Sequence, residues 1–415
     1  MKILLVGSGA REHALAYKLS QHHSVICAPG NPGMGSDAEV VPIPANEHEA
    51  LLKLAVDRAV ELVVIGPEDP LIAGLGDRFH ASGFHTFGPS AAAARLEGSK
   101  AFSKRLMKEA NVPTAEFATF SDFSTACDYA KKSFDQGVSL AVKASGAALG
   151  RGVAVCGTLE EALDAIEAAM VDRSFGAAGE IVVLEERLEG REFSLFTLVG
   201  VQNMLSLPVA QDYKRALDRD RGPNTGGMGS YSPCQTVSEE LVREVEARMV
   251  VPILDRLQQE GAPFTGLLFT GVMITESGPK CLEYNVRFGD PETQTIMMRL
   301  EGDFGAALSQ VAAGQKIEPV AISDQSAVTV VVASSGYPGP YLKGEPVTVG
   351  QIPTGAKLFF AGVAEKDGVL INSGGRVVAA SALGPNVVAA RSLAYAAAKA
   401  VHFKGAYFRR DIASN

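Results

Sequence analysis

Tryptophan is absent from this 415-residue chain, and cysteine is scarce, with five residues. Cys27, Cys127, Cys156, Cys234 and Cys281 are odd in number and never fall in C-x-x-C spacing. That argues against a disulfide framework or a zinc site and agrees with a reducing cytoplasm. The missing tryptophan carries no functional message. Positive charge is in deficit: Lys and Arg total 38 against 47 Asp and Glu, a formal net charge of −9. This argues against a general nucleic-acid or anionic-membrane surface, so a phosphate ligand needs a local basic pocket. No apolar run reaches the length of a membrane span. The stretch 1–7 lacks the apolar length and cleavage site of a signal peptide, and a cytoplasmic protein is expected. Two familiar phosphate fingerprints are also missing. There is no G-x-x-x-x-G-K-[ST], and G-x-G-x-x-G fails at Glu12. The second strand ends in Ala28-Pro29-Gly30, with no acid for a ribose hydroxyl. The seven histidines lie mostly in the N-terminal quarter, and no Ser, Cys or His is placed as an activated nucleophile.

What is present suits a globular chain of two to four domains: 47% apolar and 20% charged residues. Apolar strands at 2–6, 25–28 and 62–65 alternate with helices at 11–19 and 47–59. The pattern predicts a doubly wound parallel sheet, with ligands beyond the strand ends at 7–12, 29–35 and 66–70. At the first of these, Arg11 opens a helix, so backbone N–H groups and a guanidinium could bind a phosphate. The alternative is a tight turn whose Arg11 and Glu12 pair in solvent.

The helix expected at 99–110 carries Lys100, Lys104, Arg105 and Lys108. Most of these should form a solvated face, with Lys100 the exception because it opens the helix. A smaller α+β segment follows from 117 to 199. Its strand at 138–144 holds Lys143 among Leu140, Ala141 and Val142, where a lysine needs an anionic partner. Residues 145–152 then form a Gly-rich hairpin able to close over phosphates. Thr158 and Glu161 form a capping box for a helix at 159–170. The strand at 181–184 ends in Glu185 and Glu186, and Glu192 opens the next strand. Asn224-Thr225-Gly226-Gly227-Met228-Gly229 offers consecutive backbone donors, as a substrate loop or as a mobile surface loop. A long helix is expected at 237–260 and a strand at 267–275. In the next strand Glu283 and Asn285 share one face, oxygen donors suited to Mg²⁺ that keeps waters and a phosphate. Arg287 could hold the phosphate oxygens bidentately. Residues 327–415 read as strands, turns and a helix at 386–400, a closing domain lining the cleft. The set suits an ATP–Mg²⁺ site and phosphoryl transfer by positioning and electrostatics.

Over essentially its whole length the chain resembles the glycinamide ribonucleotide synthetase family of the ATP-grasp superfamily. The carrying stretches include VGSGAREHALA (6–16), APGNPG (28–33), GPEDPL (66–71), VKASGAALGRGVAV (142–155), GPNTGGMG (222–229), LEYNVRFGDPETQ (282–294), GGRV (374–377) and FRRDI (408–412). The resemblance implies an N-terminal doubly wound α/β domain over 1–100, an ATP-grasp core of two subdomains over 101–325 with its lid at about 120–192, and a strand-rich α+β C-terminal domain over 326–415. It implies that ATP phosphorylates glycine to glycyl phosphate, which the amine of 5-phosphoribosylamine attacks, giving glycinamide ribonucleotide, ADP and phosphate, the second step of purine synthesis. It further implies Mg²⁺ or Mn²⁺ on Glu283 and Asn285, and ATP phosphates on Lys100 and Lys143. The lid comprises Ser145, Gly146, Gly150, Arg151 and Gly152. The adenine hinge comprises Glu185, Glu186 and Leu188, and Glu192 contacts the ribose. Lys143 and Arg287 take the catalytic roles, Arg287 steadying the transferred phosphoryl group. Asp212, Lys214, Asn224, Thr225, Gly226, Gly227, Met228, Gly229 and Asp290 would line the acceptor site, with Gly9, Arg11 and Glu12 facing the phosphoribosylamine. A monomer is expected, a dimer being the alternative. Departures are Arg151 where a lysine is common, Ala10 for glycine, Tyr213 for histidine and Asp69 for a small residue. The competing readings are another ATP-grasp carboxylate–amine ligase and a non-catalytic nucleotide-binding relative.

Overall fold

The computed structural model describes residues 1–146 and 152–414. Strands Lys2–Gly7, Ser24–Pro29, Glu39–Val40, Leu62–Ile65 and His85–Phe87 form one parallel sheet, in the spatial order 39–40, 24–29, 2–7, 62–65, 85–87. Its two central strands are unbroken apolar runs because both faces are covered. The strand order reverses between 2–7 and 62–65, so a crevice opens at their carboxyl ends. Glu12, in the first turn of helix Ala10–Leu19, is wedged into that crevice. A Cβ on Gly7 or Gly66 would collide with its side chain, and Gly7 has a φ of +132°, so glycine is required there.

Two antiparallel sheets make the middle of the chain. The outer one runs Phe117–Phe120, Val182–Glu186, Leu140–Ala144, Val153–Cys156 in space. Helices Phe123–Asp135 and Leu159–Met170 cover it, the second opened by the expected Thr158–Glu161 capping box. The inner sheet runs Met204–Ser206, Arg191–Val199, Gly266–Thr275, Gly278–Asn285. The helix expected at 237–260 is divided: Glu239–Val245, a π-helical stretch Glu246–Val250, and Val251–Gln259. Pro252 has no N–H to continue the α ladder, and the wider turn accommodates it.

The fourth large sheet, in the order Gln211–Asp212, Gly229–Ser232, Ser326–Ser334, Arg376–Gly384, Ala356–Phe360, carries helix Val387–Lys399 on one face. Its first two strands come from the middle of the chain. The stretch 211–231 is therefore a folded hairpin array stitched onto the C-terminal sheet. Among the described residues no helix is long and apolar enough to cross a membrane.

Candidate active site

A cavity of about 1160 Å³ is walled by the outer, inner and C-terminal sheets, with Arg11 and Glu68 reaching it from the N-terminal domain. Its floor is the inner sheet. Alternation along strand 278–285 turns Glu283 and Asn285 to the cavity, while Tyr284 points the other way and its hydroxyl donates to the Met249 carbonyl at 2.7 Å. Among the described residues no hydrogen bond engages the Glu283 carboxylate or the Asn285 amide. Burial pushes the Glu283 carboxyl up, but Lys214, Lys143 and Lys100 outweigh it and bring it to about 2. A permanently ionised carboxylate and a free amide oxygen, side by side, fit a hard cation. Among the described residues no cluster of three or more His, Cys, Asp or Glu side chains could hold a metal.

The end of the cavity at Lys100, Lys104 and Lys143 is cationic. Lys143 donates to Glu185 Oε2 at 2.9 Å, and Lys104 reaches the same oxygen at 3.1 Å and Thr114 at 2.7 Å. Glu185 Oε1 is buried with no partner among the described residues. Burial opposes ionisation of Glu185, but the two lysines outweigh it and lower its pKa. The expectation of a solvated Lys104 is corrected: it is 2% exposed, because the helix turns this lysine toward Glu185 at the end of the adjoining sheet. Lys100 lines the cavity, and burial lowers its pKa, Glu283 opposing. Its backbone N–H donates to the Ser145 carbonyl at 2.7 Å, while Ser145 Oγ accepts from Ala101 at 3.0 Å, so the base of the hairpin is tied to this helix. The Gly146 N–H donates to Ala178 O at 3.0 Å. Gly152, Glu186 and Leu188 line the cavity. Gly150 and Arg151 lie outside the described residues. Glu192 also lines it and pairs with Lys214 at 2.9 Å.

At the opposite end, charges are mutually satisfied. Arg287 bonds Glu68 through Nε at 3.1 Å and Glu97 through Nη2 at 2.8 Å. Arg11 approaches Glu68 at 3.8 Å, pairs with Glu12 at 2.5 Å and shares the Phe288 carbonyl with Arg287, at 3.1 and 3.2 Å. Burial pushes Glu68 up, but Arg287 and Arg11 outweigh it and hold it at about 2. In Glu97 burial prevails and the carboxyl rises to about 7. For Arg287 burial disfavours the cation, yet Glu97 and Glu68 outweigh it and keep the guanidinium charged.

Of the acceptor-side residues, Arg11, Asp212, Lys214, Asn224, Thr225, Gly226 and Asp290 line the cavity. Gly9, Glu12, Gly227, Met228 and Gly229 do not appear in its wall. The Glu12 carboxylate caps its own helix, accepting from Gly9 N at 2.7 Å, and Met228 is fully buried in the core. Burial pushes Asp212 and Glu292 up; Glu292 accepts from Ser194 at 3.1 Å. Sequence reasoning gave no site role to Lys104, Glu68, Glu97, Tyr337 or Arg376, all but Tyr337 within ion-pair reach of a predicted residue. The stretches GPEDPL (66–71), FGPSAAAARLEGSKAFSK (87–104), SSGYPGPYLKG (334–344) and GGRV (374–377) carry the family resemblance at all five positions without assigning roles to these side chains.

Known proteins resemble this chain over nearly its whole length. Three family profiles cover the chain: Phosphoribosylglycinamide synthetase, N domain, over residues 1–97; its ATP-grasp (A) domain over 98–293; and its C domain over 327–415. The phosphoribosylamine–glycine ligase of Rhodopirellula baltica is 44% identical over 421 residues, covering 99% of this chain and 96% of that one. The crystal structure of the phosphoribosylamine–glycine ligase of Thermotoga maritima superposes with a TM-score of 0.85 at 35% identity, covering 99% of this chain and 100% of that one. The biotin carboxylase domain of Hydrogenobacter thermophilus 2-oxoglutarate carboxylase, solved with MgADP and bicarbonate, shares the fold with a TM-score of 0.73 at 17% identity, over 98% and 91% of the two chains.

Proposed function

The chain belongs to the phosphoribosylglycinamide synthetase family, and from that premise we infer how its cavity serves the family's reaction. The protein is an ATP-dependent ligase that joins glycine to phosphoribosylamine, making glycinamide ribonucleotide for purine biosynthesis. The observation that carries the site reading is the convergence of Lys100, Lys143, Glu283, Asn285 and Arg287 on one cavity.

The reaction runs in two transfers. A glycine carboxylate oxygen attacks the γ-phosphorus of ATP, the bond to ADP breaks, and glycyl phosphate forms. The neutral amine then attacks the acyl carbon, the C–O bond to the phosphorylated oxygen breaks so that phosphate leaves carrying that glycine oxygen, and the nitrogen loses a proton. Lys143 and Lys100 hold the triphosphate, since the buried lysine-rich end carries more positive charge than Glu185 balances. Glu283 and Asn285 hold Mg²⁺, or Mn²⁺ in its place. The ion, when bound, neutralises charge on the phosphate oxygens. Arg287, pinned by Glu68 and Glu97, presents its remaining guanidinium edge to the transferred phosphoryl group, so it needs no reorganisation as charge develops. Glu185, Glu186 and Leu188 face the base and Glu192 the ribose. Asp212, Lys214 and the 224–226 loop line the acceptor side beneath the crevice holding Arg11. Such positioning can supply about 7–11 kcal/mol of the barrier.

ADP release, followed with each of glycine, amine and ATP left out in turn, tests this. Turnover must need all three. Release with glycine absent and another carboxylate present would support a different ATP-grasp ligase. MgATP binding without ADP formation would support a non-catalytic relative.

A further inference from the structure

We propose that Arg376, in the C-terminal domain, is a positioning residue for the acceptor side of the cavity, acting through the 226–227 peptide and Asp290. This rests on the reading of the site above and deepens it. Arg376 sits at the start of strand Arg376–Gly384 and lines the cavity. Its Nη1 donates to the carbonyls of Gly226 at 2.8 Å and Asp290 at 2.8 Å, with Gly227 at 3.4 Å. Its Nη2 donates to Asp290 Oδ2 at 2.9 Å. One guanidinium thus joins two separate stretches of the site. Tyr337 holds the preceding peptide, 225–226, its hydroxyl accepting from Gly226 N at 3.1 Å.

Two glycines are explained by this clamp. A Cβ on Gly226 would lie 3.0 Å from the Arg376 Cζ, so the guanidinium rests flat against the bare backbone. Gly227 has a φ of +114°, and a Cβ there would drive into Pro291. The clamp passes its order on. Gly227 N donates to Thr225 Oγ1 at 3.0 Å, and Thr225 is bonded twice to the Lys214 carbonyl, at 2.7 and 2.8 Å. Lys214 itself lines the cavity.

Charge supplies the second half of the argument. Asp290 Oδ1 is taken by Gln294 at 2.7 Å, and Oδ2 lies 3.9 Å from where a Cβ on Gly9 would stand. The carboxylate therefore borders the turn that opens helix Ala10–Leu19, whose Arg11 lines the cavity. Without Arg376 its charge would repel an anionic substrate there. With Arg376 it is neutralised and fixed. The residue is a specificity device for a phosphate-bearing amine, and it contacts the protein rather than the reacting atoms.

The test compares Arg376→Met, Arg376→Lys and Tyr337→Phe with the parent enzyme, with phosphoribosylamine formed in the assay from ribose 5-phosphate and ammonia. Arg376→Met should raise the KM for the amine by at least about tenfold, leave the KM for ATP within about twofold, and keep MgADP affinity and melting temperature near the parent values. Arg376→Lys, which keeps charge but loses the planar fork, should recover part of the loss. Tyr337→Phe should shift the amine KM in the same direction by less. Equal effects on both KM values, no effect on either, or loss of MgADP binding with a fallen melting temperature would overturn the proposal. A parent enzyme that releases no ADP with all three substrates would instead overturn the functional reading itself.

Discussion

The two ends of the cavity solve opposite electrostatic problems. At the nucleotide end, Lys143 and Lys104 share a single carboxylate, Glu185, and Lys100 stands nearby. Positive charge is in surplus, and among the described residues one carboxylate oxygen, Glu185 Oε1, is left without a partner. At the acceptor end, Arg287 and Arg11 are matched by Glu68, Glu97 and Glu12. Charge there is balanced before any substrate arrives. A buried surplus is tolerable only if a polyanion completes it. A balanced network costs less in the empty protein and fixes geometry. The first end is built to bind, the second to hold an arginine still.

That contrast can be broken at its meeting point first. Glu283→Gln should lower kcat on the order of a thousandfold or more, because the anionic oxygen facing the cavity is lost, while circular dichroism and melting stay near the parent. Near-normal turnover would remove Glu283 from the metal site. Arg287→Lys comes next, with an expected loss of about a hundredfold in kcat, since one point charge cannot satisfy Glu68, Glu97 and a phosphoryl group together. Full activity would show that the fork plays no part. Lys104→Met leaves a neutral Glu185–Lys143 pair, and the KM for ATP should rise roughly tenfold, the lower range for a charged hydrogen bond, with the amine KM steady. An unchanged ATP KM would mean the surplus charge is idle.

At the balanced end the expected effect is on stability and its pH dependence, not on turnover. Glu68 has a folded pKa of about 2 against an ordinary 4.5. A depressed carboxyl stabilises the fold fully above its unfolded value and loses that contribution as pH falls through the folded one. Glu68→Gln should therefore cost up to about 3 kcal/mol at neutral pH and flatten the fall in stability between pH 4.5 and 2. Urea titrations across that window read it directly. Parallel curves for parent and variant would mean that Glu68 is not the linked group.

Local signals were legible in the sequence. Glu283 and Asn285 follow from period-two alternation on one strand, and Lys143 from a lysine among apolar neighbours, whose demand for an anion Glu185 meets. The parallel N-terminal sheet follows from unbroken apolar runs. What escaped was set by distant contacts. A helix lysine reads as solvated unless its partner is known, and the partner of Lys104 lies on another sheet. Glu97 and Glu68 look ordinary until Arg287 is brought between them. Arg376 is one charge at the start of a strand, and nothing local shows that it bonds two segments far away in the chain. The family resemblance supplied roles for the legible residues and left these positions unassigned.

The central claim is that ATP phosphorylates the glycine carboxylate at the Glu283–Asn285–Arg287 edge. Glycine labelled with ¹⁸O in both carboxylate oxygens tests it most directly, with the released phosphate examined by mass spectrometry. The account predicts one labelled oxygen in phosphate for each glycinamide ribonucleotide formed. Phosphate free of label, with product still made, would contradict it.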